Sequence, residues 1–380
     1  MDFDLSPEHE AFREVVRGFA LRELAPHVVE WDANSTFPVD AVRAMGDLGL
    51  FGLVLPEDYG GSDAGFLTFC LAVEEIARVD SSLAITLSAG TGLGANPILH
   101  FGTDEQRAAW LPAMARGEAL GAFGLTESDA GSDTASLRTR AKRDGGEWEL
   151  HGSKAFITNS GTPMTTVITV AARTGDDEIS AFLVPAGTPG LVVEPSYRKM
   201  GWRASDTHGL RFEGCRIPQE NLLGDRGCGL RQFLGILDDG RIAIAALAVG
   251  LAQACLDECV SYASERRAFG QPIGSFQAIS FSIADLAVAV DAARLLTYHA
   301  AWAKETNKAF GPLAAKAKLF ATEAAVNATR VATQVFGGSG FIEDTAVNRY
   351  YRDAKILEIG EGTSEIQRIV IARSLGLVPK

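Results

Sequence analysis

Arg352-Asp353-Ala354-Lys355-Ile356-Leu357-Glu358-Ile359-Gly360-Glu361-Gly362-Thr363-Ser364-Glu365-Ile366-Gln367 sets an apolar run, a carboxylate and a new helix in direct succession. Glu361 stands between Gly360 and Gly362, which free the backbone for unusual dihedrals and let a flat ligand come close. Thr363 is placed to cap a helix over Ser364–Ser374, in which Ile366, Ile369, Val370 and Arg373 recur at helical spacing. A carboxylate on a loop beside a helix N-terminus suits a general base. The same pattern also reads as an exposed glutamate between turn glycines, so the rest of the chain must decide.

Upstream of this stretch the pattern is helical. Long apolar-periodic runs cover about Leu237–Glu265, Phe276–Lys304 and Pro312–Phe336, with Pro312 at a first helical position and Gly337-Gly338 as a stop. Long helices with short links form a bundle. Residues 121–229 differ. Leu137, Thr139 and Ala141 alternate with Arg138, Arg140 and Lys142, and Asp144-Gly145-Gly146 turns the chain into Trp148-Glu149-Leu150. Short strands follow at Val167–Ala172, Ile179–Val184, Leu191–Pro195 and Leu210–Phe212, with links too short for helical crossovers, so an antiparallel sheet or small barrel is expected. Residues 1–120 are helical again. Ser6-Pro7 starts one helix, Val39–Leu50 and Phe66–Val79 form two more, and Thr103-Asp104-Glu105-Gln106 is a capping box for another running to about Arg116. The expected fold is α+β: an N-terminal helical domain (1–120), a middle antiparallel β domain (121–229) and a C-terminal four-helix bundle (230–380).

Composition narrows the function. The 380 residues are 47% apolar and 22% charged, as in ordinary globular proteins. A net charge of -13 argues against nucleic acid as a partner. Cys70, Cys215, Cys228, Cys255 and Cys259 are odd in number and form no CxxC, which suggests reduced thiols. Scattered His residues point to no metal site. The acidic N-terminus is unlike a signal peptide, and no apolar run of membrane-spanning length stands out. A cytoplasmic protein without membrane insertion is the expectation.

Several constellations could hold a ligand. Phe123-Gly124-Leu125-Thr126-Glu127-Ser128-Asp129-Ala130-Gly131-Ser132-Asp133 offers hydroxyls and backbone amides for an anion, or is a polar loop before a strand. Phe156-Ile157-Thr158-Asn159-Ser160-Gly161 pairs an aromatic with a hydroxyl, or is a strand end and turn. Arg266-Arg267-Ala268-Phe269-Gly270 lies at a helix end, with Gly270 read as its C′ stop; two arginines beside a phenylalanine suit a phosphate. Gly90-Thr91-Gly92-Leu93-Gly94-Ala95 fits a dinucleotide fingerprint, but no βαβ unit surrounds it. Gln334-Val335-Phe336-Gly337-Gly338-Ser339-Gly340 follows a helix and fails the same test.

Apart from Gly90–Ala95, these segments, with Lys199-Met200-Gly201-Trp202-Arg203-Ala204-Ser205, Asp238-Asp239-Gly240-Arg241 and Tyr351–Thr363, together resemble the flavin-dependent acyl-CoA dehydrogenases over essentially the whole chain. The resemblance implies FAD as cofactor and Glu361 as the base that takes the α-proton of an acyl-CoA thioester. The β-hydride goes to flavin N5 and a trans-2-enoyl-CoA leaves. The thioester oxygen is held by the backbone N–H of the base and a flavin hydroxyl. Phe123, Leu125, Thr126 and Ser132 would hold the flavin, Ser132 also lying near CoA. Phe156 would cover a ring face beside Ile157, and Thr158 would reach the N5 edge. Arg266, Phe269 and Gln277, with Gln334, Val335, Phe336, Gly337 and Gly338, would grip the pyrophosphate and adenosine from a neighbouring subunit. Thr363, Ser364 and Glu365 would touch FAD from the base's loop. Asp238, Arg241 and Gly362 would face the substrate. A homo-oligomer, a dimer of dimers, is implied, as is electron-transfer flavoprotein as acceptor. The short-chain and short-branched-chain members look most similar, giving an expected C4–C6 acyl-CoA from fatty-acid or branched-chain amino-acid breakdown and a pocket lined partly by Leu87–Leu99.

Some positions depart from the family. One branch, including isovaleryl-CoA dehydrogenases, carries its base where this chain has Gly240, which leaves Glu361 without a rival. Gly360 replaces a common Tyr and Phe156 a common Trp. Two other functions compete: an O2-using flavin oxidase of the same fold, and a non-catalytic protein that binds flavin or acyl-CoA.

Overall fold

The computed structural model describes residues 4–378; the ends of the first and last expected domains, residues 1–3 and 379–380, lie outside the described residues. The chain opens with helices α1 (Pro7–Phe19), α2 (Val28–Asn34), α3 (Val39–Asp47), α4 (Phe66–Ala77), α5 (Ser81–Ser88), α6 (Asn96–Phe101) and α7 (Asp104–Ala115). Ser6 caps α1 by accepting from the His9 N–H, and Thr103 with Gln106 closes the expected capping box on α7. Phe69, Val73, Ile76 and Ala77 of α4 are fully buried. The segment that mimics a dinucleotide fingerprint forms a π-helical turn over Ala89–Ala95 instead. Two of its glycines serve packing: a Cβ on Gly94 would lie 2.7 Å from the Gly121 carbonyl oxygen, and one on Gly90 3.0 Å from the Phe51 ring.

The strands are β1 (Leu120–Gly124), β2 (Arg140–Asp144), β3 (Glu147–Thr158), β4 (Thr165–Arg173), β5 (Ile179–Pro185), β6 (Leu191–Val193), β7 (Thr207–Pro218) and β8 (Leu222–Leu223). They form one sheet in the order β6-β7-β3-β2-β4-β5-β8. Its ladders are mainly antiparallel, and Asp144 and Glu147 close the expected β2–β3 hairpin. The expectation of an antiparallel sheet or small barrel is corrected at β4, which pairs in parallel with β1 from Leu120 against Thr165 to Gly124 against Val170 and with β2 at Arg140 against Arg173. A parallel partner needs a long connection. The excursion through the β2–β3 hairpin supplies it, although the individual links are short.

Beyond the sheet come α8 (Gly229–Glu265), a small hairpin of β9 (Arg267–Ala268) and β10 (Gln271–Pro272), then α9 (Gln277–Glu305), α10 (Gly311–Phe336), α11 (Ala346–Ala354) and α12 (Ser364–Ser374). α8 starts eight residues before the expected Leu237. It is long and apolar enough to cross a membrane, which the sequence reading overlooked, but it is mostly buried among the other helices. Gly270 is not a helix stop. α8 ends at Glu265, and Phe269 (φ 51°) with Gly270 (φ 83°) forms the two-residue turn of the hairpin, the left-handed pair that such a turn demands.

Close packing along α8 generates a test. A Cβ on Gly250 would overlap the Glu74 carbonyl oxygen of α4 and lie 2.8 Å from the Ala77 Cβ, whereas one on Gly235 meets nothing within 4 Å. Gly250→Ala should therefore lower stability by about 1–3 kcal/mol, as overpacking does. Gly235→Ala, on the same helix, should raise it by up to about 1 kcal/mol. Denaturant midpoints of both variants check this; an equal effect from the two would contradict it.

Candidate active site

Asp353 shows how the quoted stretch joins the three parts of the fold. Its carboxylate accepts from the Ser81 hydroxyl of α5 at 2.7 Å and from the Trp202 backbone N–H of the middle region at 2.7 Å. Burial pushes this acid up to about 6. Next to it, Arg349 pairs with buried Asp80 at 2.9 Å. A Cβ on Gly201 would crowd the Asp353 Cα at 2.6 Å, so the Lys199–Ser205 loop lies flat on the end of α11.

From that anchor the chain runs through a 3-10 turn (Lys355–Glu358) to Glu361, whose φ is 53°. Gly362 follows at φ 93°. Thr363 caps α12, accepting from the Ile366 N–H at 3.3 Å. The left-handed pair turns the glutamate towards α8, where it meets residue 240. A Cβ at Gly240 would overlap the Glu361 Oε2, so only glycine leaves room for the carboxylate. That oxygen is sealed from solvent and has no hydrogen-bond partner among the described residues. Burial pushes the carboxyl up to about 7, against the opposing pull of the Lys318 and Arg241 charges.

Around Glu361 stand groups that the sequence reading placed and groups that it missed. Asp238 and Arg241, both expected to face substrate, form an ion pair on α8 that brackets Gly240. Lys318 of α10 was missed. It is fully buried in a stripe of Ala314, Ala317, Ala321 and Ala325, and donates to the Gly362 carbonyl at 2.8 Å. Gln367 was missed as well; its side-chain amide shares that carbonyl at 2.8 Å. A lone charge inside an alanine stripe was the available signal for Lys318.

The middle region brings Phe123 and Leu125, two of its expected residues, to the same end of α8. Phe123 of β1 packs on Phe233 of α8 with ring centroids 4.2 Å apart. Phe233 and Gly240 are about two helical turns apart, roughly 10 Å. Leu125 is buried and its carbonyl is held by the Lys154 ammonium at 3.1 Å. Lys154 also pairs with Glu127 at 2.7 Å, and Glu127 accepts from the Thr139 N–H and hydroxyl. Neither member of this buried pair was singled out beforehand. It fixes the loop that carries Thr126 and Ser132. Phe156 is 65% exposed at φ 61° and lies against Tyr197 with centroids 5.2 Å apart. A bulky residue in that backbone region marks a constrained site. Ile157 is buried and Thr158 ends β3; Asn159 ties the turn to α5 through the Thr86 carbonyl at 3.1 Å.

The remaining expected residues lie elsewhere. Arg266, Phe269 and Gln277 are exposed, and Phe336 stacks on Tyr262 with centroids 4.0 Å apart, which puts Gln334–Gly338 beside them. Along α8, Arg266 is about 39 Å from Gly240; along α10, Gln334 is about 24 Å from Lys318. A single chain therefore separates the two sets. Phe269 is 95% exposed at the hairpin tip.

The residues fit a flat, hydrogen-bonding cofactor. An exposed aromatic face stands at Phe156. Near the base, the Ser364 hydroxyl, the Gln367 side-chain oxygen and the Arg241 Nε are buried without partners among the described residues. An apolar cluster joins Ala95, Ile98 and Leu99 to Leu125, Phe233 and Leu237.

Three family models match the chain: the N-terminal domain of acyl-CoA dehydrogenases over residues 6–118, the middle domain over 122–215 and the C-terminal domain over 227–376. The probable acyl-CoA dehydrogenase YngJ of Bacillus subtilis is 48% identical over 99% of this chain and 100% of that protein. The solved structure of butyryl-CoA dehydrogenase from Megasphaera elsdenii is similar with a TM-score of 0.96 at 40% identity, covering 99% of this chain and 100% of that one. A chain in the structure described as the electron transferring flavoprotein of Acidaminococcus fermentans matches with a TM-score of 0.96 at 42% identity, covering 99% of each.

The raised Glu361 acid has a sign-determined consequence for stability. Its folded value, about 7, exceeds the ordinary 4.5, so the native state holds this proton more tightly than the unfolded chain. The stabilisation is complete below 4.5 and is lost as pH rises through about 7. Glu361→Gln, which keeps the shape without the charge, should match the parent near pH 4.5 and gain on it steadily up to about pH 7.5. Denaturant midpoints across that range test this; a difference that does not change with pH would contradict a buried, raised carboxyl.

Proposed function

The chain belongs to the acyl-CoA dehydrogenase family, and from that premise we propose that it oxidises a short or short-branched acyl-CoA, of C4 to C6, to the trans-2-enoyl-CoA with Glu361 as base. The family is FAD-dependent. When bound, FAD supplies the acceptor for the β-hydride. The observation that carries the proposal is the Glu361 carboxyl, pushed up to about 7 and aimed at the bare face of α8.

A thioester α-CH is a weak acid, and a base works best when its own value lies near the operating pH. Glu361 meets that need through burial and two opposing cations. Its left-handed turn also presents a backbone N–H beside the carboxylate, suited to a thioester oxygen. Asp238 and Arg241 stand on the same stretch of α8 and suit the CoA end. Phe123, Leu125, Thr126, Ser132, Phe156, Ile157 and Thr158 suit the flavin, joined by Thr363, Ser364 and Glu365 from the base's loop. The distance to Arg266, Phe269, Gln277 and Gln334–Gly338 supports their serving the cofactor of a neighbouring copy, in a dimer or dimer of dimers. The similarity to butyryl-CoA dehydrogenase supports the short acyl group. The match with a chain of the structure described as an electron transferring flavoprotein supports such a flavoprotein as electron acceptor.

Anaerobic titration of the yellow holoenzyme with acyl-CoAs of graded length and branching tests the substrate, read as loss of flavin absorbance at about 450 nm. Bleaching should be confined to the C4–C6 thioesters. Equal bleaching by long chains would remove the short-chain reading, and no bleaching by any saturated acyl-CoA would remove the dehydrogenase itself. Glu361→Gln should keep FAD and lower turnover at least ~100-fold, the usual scale for losing a general base. Arg266→Ala should weaken FAD retention and subunit assembly together, checked by flavin content and sedimentation. Loss of FAD with assembly intact would sink the shared site.

A further inference from the structure

Lys318 stands out once the base is placed. Its side chain is fully buried, and among the described residues it has no carboxylate within ion-pairing distance. The hydrogen bond it makes, to the Gly362 carbonyl, is duplicated by the Gln367 amide at the same 2.8 Å. A buried ammonium is costly to keep, and a neutral donor already serves the carbonyl. The bond alone therefore does not account for the charge.

We propose that Lys318 is the positioning residue of the base: its ammonium pins the Gly362 carbonyl so that the left-handed turn keeps Glu361 aimed at Gly240, and its charge favours the ionised carboxylate. The inference rests on the reading of Glu361 as base. The charged groups facing this pair come from every element around it. Arg241 and Asp238 on α8 form a pair of their own, Glu358 is paired with Lys355, and Glu365 opens α12. Glu358, Glu365 and Glu361 act on Lys318 as negative charges and Arg241 as a positive one, while burial pulls the ammonium down to about 8. Removing Lys318 leaves Arg241, already engaged by Asp238, as the cation near the base.

Two variants separate bond from charge. Lys318→Gln keeps a donor without the charge, and Lys318→Met removes both. In the holoenzyme, the infrared carboxyl band that disappears in Glu361→Gln reports the protonation of Glu361 without any turnover. Both neutral variants should move its midpoint up by about one pH unit, and kcat/KM below that midpoint should fall about tenfold and recover at higher pH. Lys318→Met should also lower the high-pH plateau, because the turn is less firmly held. If Lys318→Met does not fold, Lys318→Gln alone still decides the charge. An unchanged midpoint and pH profile in a folded neutral variant, with Glu361→Gln inactive, overturns the role of Lys318. Normal turnover by Glu361→Gln overturns the base assignment instead, whatever Lys318 does.

Discussion

Glu361 and Gly240 share one small volume. The carboxylate comes from the loop before α12 and the vacated space from the middle of α8's first half, and a single added carbon on α8 would overlap the oxygen. The other features of the site follow from that fit. The loop must turn sharply, so Glu361 and Gly362 both take positive φ. It must be held at both ends, by Asp353 before it and the Thr363 cap after it. Because the carboxylate then lies away from water, its acid is raised, and the cations Lys318 and Arg241 limit how far.

Two buried ion systems of different purpose stand on either side of this fit. Lys154 and Glu127 form a close pair that also satisfies backbone groups at Leu125, Arg138 and Thr139; they shape the loop in front of the sheet. Lys318 and Glu361 are not bonded to each other. Their interaction is through space, between a raised acid and a lowered ammonium, which leaves both free to respond to protons. The first arrangement suits a scaffold and the second suits proton abstraction.

Much of the fold was legible because period and capping agree. The last helix occupies Ser364–Ser374 as read, and the capping box at Thr103 and Gln106 is formed as read. The errors have physical causes. Phe269-Gly270 looked like a helix stop because glycine in the left-handed region ends helices and makes two-residue hairpins alike. The parallel pairing of β1 with β4 depends on a crossover some 40 residues long, which local alternation does not register. Within the site, the glycines beside Glu361 left an exposed turn glutamate as an equal reading and the resemblance of the whole chain singled it out, whereas Lys318 was hidden because periodicity assigns meaning to apolar positions and none to a charge between alanines. The separation of Arg266 from Gly240 followed only from knowing that α8 is one unbroken helix.

The central claim is that Glu361 removes a proton from the α-carbon of a bound thioester. The most direct measurement is deuterium entry from D2O into the α-position of an acyl-CoA analogue whose β-carbon is replaced by sulfur, so that no hydride can leave. The parent protein should label that position, with a rate that rises through the pH region where Glu361 ionises, and Glu361→Gln should not label it above the rate in buffer. Equal labelling by the two proteins would mean that another group takes the proton, and that the fit between Glu361 and Gly240 serves structure alone.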